Sequence, residues 1–198
     1  MPDFQLTTKL SVSLLRHSDI LPADKVFYEA GMQCREMGWH SMAFVFLNRY
    51  LDLVEAIEDP DGSADALDST DFQGTDIPME VPLPEEPYTT HEEHESVREW
   101  ILMVSMDQKL EQTLPKDERG VYQGAAETPG STSLSALPCI ITGYPVLRNG
   151  LDFDKFNGVA NRDHWNRMQH VIKLARTDEC ADVMEFIHRW YGNPKGTS

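Results

Sequence analysis

The chain has 198 residues, 40% of them hydrophobic, which suffices for one domain or two small ones. Its net charge of −16 argues against nucleic acid and anionic membranes as partners. Sixteen acids and a single base lie within residues 52–99, so one segment carries nearly all of this charge. The first residues do not have the basic and apolar pattern of a signal peptide and no apolar run reaches about 18 residues, so we expect neither a signal peptide nor membrane insertion. Unpaired cysteine spacing favours free thiols in a reducing compartment, at Cys34, Cys139 and Cys180.

Residues 1–58 have the periodicity of helices. Leucines recur at helical spacing between residues 4 and 19, which indicates a short amphipathic helix. We expect Asp24 to cap the next helix, Lys25–Arg35. After a turn at Gly38, another helix carries an apolar face made of Ala43, Phe46, Leu47, Tyr50 and Leu51. Two helices joined by a short glycine-containing turn form an αα-hairpin.

The spacing within this hairpin resembles a tetratricopeptide repeat (TPR), in which large and small apolar residues alternate at fixed positions. The matching residues are Phe27, Ala30, Gly31, Ala43 and Phe46 or Leu47. A single repeat cannot bury its own faces, so we expect residues 1–58 to be the end of a longer solenoid. A plain helical hairpin is the alternative.

Residues 59–90 are acidic and rich in proline, and they show no helical or strand periodicity. This composition is typical of a linker, either mobile or packed as an extended segment. The apolar residues Ile77, Met79, Val81 and Leu83 could lie along a groove of a neighbouring helix. The composition favours the other interpretation, a solvated linker.

Residues 91–115 predict an amphipathic helix that bridges two parts of the chain. Thr90 followed by acids is a start signal, and Pro115 ends the helix. Its apolar face is expected to contain Val97, Trp100, Ile101, Val104, Leu110 and Leu114. His91 and Glu95 share a face, but the sequence lacks the HExxH pattern, so we expect a solvated charge cluster. Residues 116–136 are a second linker.

Residues 137–192 predict a small module with the order loop, hairpin, helix, loop, helix. The apolar run Leu137–Leu147 contains two prolines and reads as a buried loop or a short strand pair. A turn with a left-handed Gly150 and the apolar residues Leu151, Phe153 and Phe156 indicate a hairpin. Asn161 or Asp163 caps the central helix, and residues 193–198 are a tail.

This order and the opening Cys139–Val146 resemble a U-box, the zinc-free relative of RING domains. The resemblance implies a hydrophobic core with no metal and no cofactor. We expect the core to contain Cys139, Val146, Trp165, Ile172, Phe186 and Trp190. Metal ligation is further disfavoured because the cysteines and histidines of the module have no paired spacing.

The U-box resemblance implies binding of ubiquitin or of a ubiquitin-charged E2 enzyme through an apolar surface. The candidate residues by position are Ile140, Ile141, Pro145, Met168 and Val171. For Ile141, Val146 and Val171 a place in the core is an equally good interpretation. No covalent catalytic site is evident, so an enzyme activity would be weak ubiquitin ligation by orienting the E2.

The chain as a whole resembles the C-terminal region of the largest peripheral subunit of the intraflagellar transport B complex. The resemblance rests on the TPR-like hairpin, the acidic segment and the runs Trp100–Gln112, Asp117–Tyr122 and Leu137–Val146. That family combines WD40 propellers with a TPR superhelix. It implies a scaffold at the cilium or flagellum and basal body, on the cytoplasmic side, with other transport subunits as partners. A purely structural cap of the solenoid is the alternative function.

Overall fold

The computed structural model describes residues 4–60, 67, 70–107 and 137–196. It is mainly helical with one two-stranded sheet, which confirms the expected fold class at that level. The chain divides into two compact units, Met1–Glu127 and Thr128–Ser198. We call these the first unit and the second unit.

The first unit begins with three helices, α1 (Phe4–Leu14), α2 (Ala23–Glu36) and α3 (His40–Glu58). Gly38 joins α2 to α3 with a φ of 74°, a conformation that glycine adopts without steric cost. A Cβ atom at Gly31 would lie 2.5 Å from Leu47 Cγ, so only glycine permits this approach of the two helices. The α2–α3 pair is therefore the tightly packed hairpin that the small residues indicated.

Asp24 does not cap α2. The N-cap position is Pro22, which provides no side-chain cap, and Asp24 lies fully buried in the first turn. Its Oδ2 accepts a hydrogen bond of 2.6 Å from the backbone N–H of Tyr88. The expected cap is wrong because a distant segment, rather than the start of the helix itself, supplies the donor.

Residues 70–90 form a segment that we call the strap, and it packs on the helices. Phe72 and Ile77 are buried in the core of the first unit, and Val81 and Leu83 pack against that core. Arg49 donates a hydrogen bond of 3.1 Å to the carbonyl of Met79, whose side chain is exposed. The favoured interpretation of residues 59–90 as a solvated linker is wrong for this part, because its apolar residues outweigh its charge.

Helix α4 (His91–Asp107) follows the strap directly. Thr90 Oγ1 accepts a hydrogen bond from the Glu93 N–H, and Glu93 Oε2 accepts one from the Thr90 N–H. This reciprocal pair is a capping box, so the predicted start of the helix is confirmed. The buried face is Val97, Trp100, Ile101 and Val104. The predicted continuation through Leu110 and Leu114, and the linker 116–136, lie outside the described residues.

The second unit contains β1 (Gly150–Asp152), β2 (Val159–Asn161), α5 (Arg162–Ala175) and α6 (Asp178–Tyr191). The two strands are antiparallel, with Leu151 opposite Ala160. Of the two predicted caps of α5, Asn161 is the one observed. Its side chain accepts hydrogen bonds from the backbone N–H groups of Asp163 and His164. Thr177 caps α6 in the same way.

The turns of the second unit differ in detail from the prediction. Asn149, not Gly150, has the left-handed conformation, with a φ of 55°. Gly158 is required for a different reason, since a Cβ there would lie 2.6 Å from the Tyr191 ring. The tail is also paired: the Lys195 N–H donates a hydrogen bond of 2.8 Å to the Asp152 carbonyl. The start of the tail therefore pairs with the backbone of residues 152–154. Residues 197–198 lie outside the described residues.

Candidate functional site

The loop Leu137–Val146 is held in shape by its own backbone and by β2. The Cys139 N–H donates to the Tyr144 carbonyl, and the Gly143 N–H donates to the Cys139 carbonyl, both at 2.7 Å. The Ile140 N–H donates to the Val159 carbonyl at 2.9 Å, which fixes the loop to the hairpin. Because its backbone is satisfied in this way, the loop can display apolar side chains without unfolding.

Cys139 is the centre of this loop. Its Sγ accepts a hydrogen bond of 3.4 Å from the backbone N–H of Asn161. Burial raises the pKa of the Cys139 thiol, but hydrogen bonds with the His164 ring and with backbone N–H groups outweigh burial and lower this pKa to about 7. The thiol is almost completely buried, and its hydrogen bond with the Asn161 N–H connects the loop to the end of β2.

The five proposed ubiquitin or E2 contacts fall into two groups. Ile140, Ile141 and Pro145 are half-buried in the loop. On α5, Met168 is half-buried and Val171 is 57% exposed. The alternative that placed Val171 in the core is therefore wrong, since α5 turns this residue away from the hairpin. Ile140, Ile141 and Met168 each pack one side against the core cluster of the unit.

The core of the second unit is small. Its fully buried members are Cys139, Leu151, Phe153, Ala160, Trp165 and Ile187, and Val146 packs against them partly buried. The Phe153 ring lies edge-to-face against Trp165, with 5.1 Å between centroids. Ile172, also predicted for the core, is half-buried.

Phe186 and Trp190 do not belong to this core. They are 58% and 52% exposed, so their assignment to it is wrong. Helix α6 is apolar on two faces, and it turns Met184, Ile187 and Tyr191 inward. The tertiary structure decides between two faces that periodicity alone does not separate.

The outward face of α6 and the turn of the hairpin form an exposed surface that we call the aromatic stripe, made of Val183, Phe186 and Trp190 on the helix and Phe156 in the turn. The Trp190 ring centroid lies 6.3 Å from those of both Phe156 and Phe186. Phe156 was expected in the hairpin, but it sits in the turn with a φ of 52° and is 77% exposed. The sequence signal for the stripe was the second apolar face of α6.

In the first unit, the residues with metal-binding side chains at the start of α4 are not all solvated. His91 is exposed, but His94 is buried against the ring of Tyr50. Burial lowers the pKa of His94, and the nearby positive charge of Arg98 lowers it further. The expectation of a solvated charge cluster is wrong for His94, because the strap and α3 bring the start of α4 against the helical core.

Sequence comparison with known proteins finds relatives across nearly the whole chain. The chain is 54% identical to the intraflagellar transport protein 172 homolog of Mus musculus over 193 residues, which are 98% of the chain and 11% of that protein. For the homologous protein of Homo sapiens the identity is 52%, with the same coverage. The chain matches a C-terminal segment of the intraflagellar transport protein 172 family. Intraflagellar transport protein 172 of Chlamydomonas reinhardtii is 38% identical over 170 residues, 78% of the chain and 9% of that protein.

The resemblance to an intraflagellar transport subunit is thereby confirmed, and the relatives place the family at the cilium or flagellum. The chain spans about a tenth of the length of these relatives. No protein-family model matches the chain. None of the helices in the described part of the chain has the length and apolarity that a membrane crossing requires.

Proposed function

We propose that the chain is part of an intraflagellar transport scaffold whose second unit binds ubiquitin or an E2 enzyme. The observation that carries this proposal is the loop Leu137–Val146. Its backbone is fixed by hydrogen bonds, while Ile140, Ile141 and Pro145 stay half-exposed beside the hairpin. A rigid, shallow apolar surface of this kind suits the small apolar patches of ubiquitin and of E2 loops.

Helix α5 extends the proposed surface. Met168 is half-buried and flexible, and Val171, one turn further along the helix, is 57% exposed. Methionine adapts its shape to a partner at low cost, which favours weak and reversible binding. The loop and α5 together provide two of the three elements that the U-box resemblance assigns to E2 recognition, the third being the second loop.

Ligation, if the unit performs it, acts through orientation of the E2. Cys139 is 3% exposed, so an incoming ubiquitin thioester would not reach its sulfur. The unit would instead hold the E2–ubiquitin conjugate in a reactive arrangement, with the chemistry carried out on the E2. We rank binding above ligation because the connection between α5 and α6, which is only Arg176 and Thr177, lacks the apolar residues of an E2 contact.

Binding is tested with the purified chain on immobilised ubiquitin. We expect retention in the micromolar range, and we expect Ile140→Ala or Met168→Ala to weaken it without a large change in Tm. Val183→Ala on the aromatic stripe is the matched control and should bind like the unchanged chain. Absence of retention at high micromolar concentration, or equal retention of all variants, would reject the proposed surface.

Ligation is tested separately with E1, an E2 panel, ubiquitin and ATP. We expect autoubiquitination above the rate without the chain, and a reduction by Ile141→Ala or Pro145→Ala. Rates equal to the reaction without the chain, for every E2, would reject ligation and leave ubiquitin binding to be judged on its own test.

A second candidate, a structural or adaptor role in a helical solenoid, is favoured by the exposed apolar residues of the first unit. Helix α1 exposes Leu10 and Leu14, and α4 exposes Leu102, Met103 and Met106. Further helices of a solenoid, or other intraflagellar transport subunits, would cover such faces. Leu14→Glu should then weaken association with the helical segment that precedes the matched region in a relative, measured by co-purification, whereas Ile140→Ala should not.

A further inference from the structure

Three side chains with metal-binding atoms meet at the start of α4. Ligand atoms of His91, His94 and Glu95 all lie within 4.8 Å of one another. Residues three and four positions apart share a helix face, and this spacing brings the three together. The cluster belongs to the first unit, and the proposed ubiquitin surface does not use it.

The unpaired ring nitrogens of the buried His94 indicate that a ligand could bind at this position. The residue is only 4% exposed, yet neither ring nitrogen has a hydrogen-bond partner among the described residues. The His94 ring lies edge-to-face against the rings of Tyr50 and His91, with 6.2 Å and 6.3 Å between the ring centroids. A buried polar atom without a partner costs about 1–3 kcal/mol, so a ligand that pairs with a ring nitrogen of His94 would be favoured.

We propose that His91, His94 and Glu95 form a binding site for a divalent transition metal ion of the Zn²⁺ class. Two imidazoles and one carboxylate are a ligand set that zinc accepts, with water or another oxygen in the fourth position. The carboxylate of Glu58, at the end of α3, acts electrostatically on His94 and adds negative charge near the cluster. A bound ion would join the first turns of α4 and favour the packed position of His94.

Binding requires only a small rearrangement. Ligand atoms around a tetrahedral zinc are about 3.3–3.6 Å apart, because each lies about 2.0–2.2 Å from the ion. The side chains that must close this distance are the exposed His91 and the half-buried Glu95, while His94 stays in place. Glu95 would leave its contact of 3.5 Å with Arg98, whose positive charge faces the site. Exposed ion pairs of this kind contribute little stability, so the loss of this contact costs little.

The test is calorimetric titration of the chelator-treated full chain with Zn²⁺. We expect binding of one ion, and we expect His91→Ala and Glu95→Gln each to weaken it at least about tenfold. His188→Ala, an exposed histidine on α6, is the matched control and should bind like the unchanged chain. Zn²⁺ should also raise the Tm of the unchanged chain and of His188→Ala equally, and that of His91→Ala by less at the same Zn²⁺ concentration.

His91 is exposed, so His91→Ala is expected to fold and the test does not depend on the buried His94. No heat of binding at millimolar Zn²⁺ would overturn the proposal. Equal affinity of the His91→Ala, Glu95→Gln and unchanged chains would also overturn it, because the ion would then bind elsewhere.

Discussion

The two units bury their apolar residues to very different extents. Among the residues that the structure describes, 22 buried residues of the first unit form a single cluster across four helices and the strap, whereas the cluster of the second unit has six. The second unit leaves the aromatic stripe and Val171 of α5 exposed. Hydrogen bonds around Cys139, at the caps of α5 and α6 and along residues 193–195 hold the chain of the second unit in place. The difference suits a framework in the first unit and a recognition surface in the second.

The largest expected effect tests the first unit. Phe27→Ala should lower the free energy of unfolding by about 3–5 kcal/mol, because it empties a site between the Phe46 and Phe72 rings. The measurement is urea denaturation. The control Leu102→Ala removes an exposed side chain and should change the free energy by less than about 0.5 kcal/mol. Similar losses for the two variants would contradict the assignment of Phe27 to the core.

Adjacent residues on α6 test the second unit. Ile187→Ala should cost about 2–4 kcal/mol, since Ile187 is one of the six buried residues of the core cluster. Phe186→Ala, at the residue just before Ile187, should cost less than about 0.5 kcal/mol because the ring is mostly in water. Hydrogen exchange of residues 150–175 reports the difference. If Phe186→Ala lowered the free energy of unfolding more than Ile187→Ala does, the aromatic stripe would be covered and the comparison of the two units would be mistaken.

The Cys139 thiol should make the stability of the fold depend on pH. Its folded-state pKa of about 7 lies below the ordinary value of 9.0, so its contribution to stability is complete above pH 9 and is lost as pH falls through 7. Two pKa units correspond to at most about 2.7 kcal/mol. His164→Ala removes one of the hydrogen bonds that lower the pKa and should raise the midpoint, as measured by the ¹³Cβ shift of Cys139. His188→Ala should leave that midpoint unchanged, and a midpoint near 9 in the unchanged chain would contradict the prediction.

The smallest expected effect concerns the strap. Asp24→Ala leaves the Tyr88 N–H without its acceptor and should cost about 1–2 kcal/mol. Hydrogen exchange should then increase at residues 77–90 more than at α3. Tyr88→Phe removes only the exposed hydrogen bond of 3.3 Å to Glu29 and serves as the control. Unchanged exchange in Asp24→Ala would indicate that apolar packing alone holds the strap.

Local chemistry in the sequence was sufficient for the start of α4 and for the αα-hairpin. Thr90 and Glu93 form a capping box within four residues, and Gly31 and Gly38 are needed for the close approach and the turn of α2 and α3. These features depend on neighbours in the chain or on backbone conformation, which a sequence displays directly. The family resemblance likewise came from runs of consecutive residues.

The tertiary structure alone decided which of several apolar or charged residues became buried. It packed Phe72 and Ile77 of an acidic segment into a core, turned Phe186 and Trp190 to solvent, and buried His94 in a charged helix start. The physical reason is that a residue is buried only if elements distant in the sequence pack against it. A residue's own periodicity shows only that a face is apolar, and long-range packing selects which face is covered.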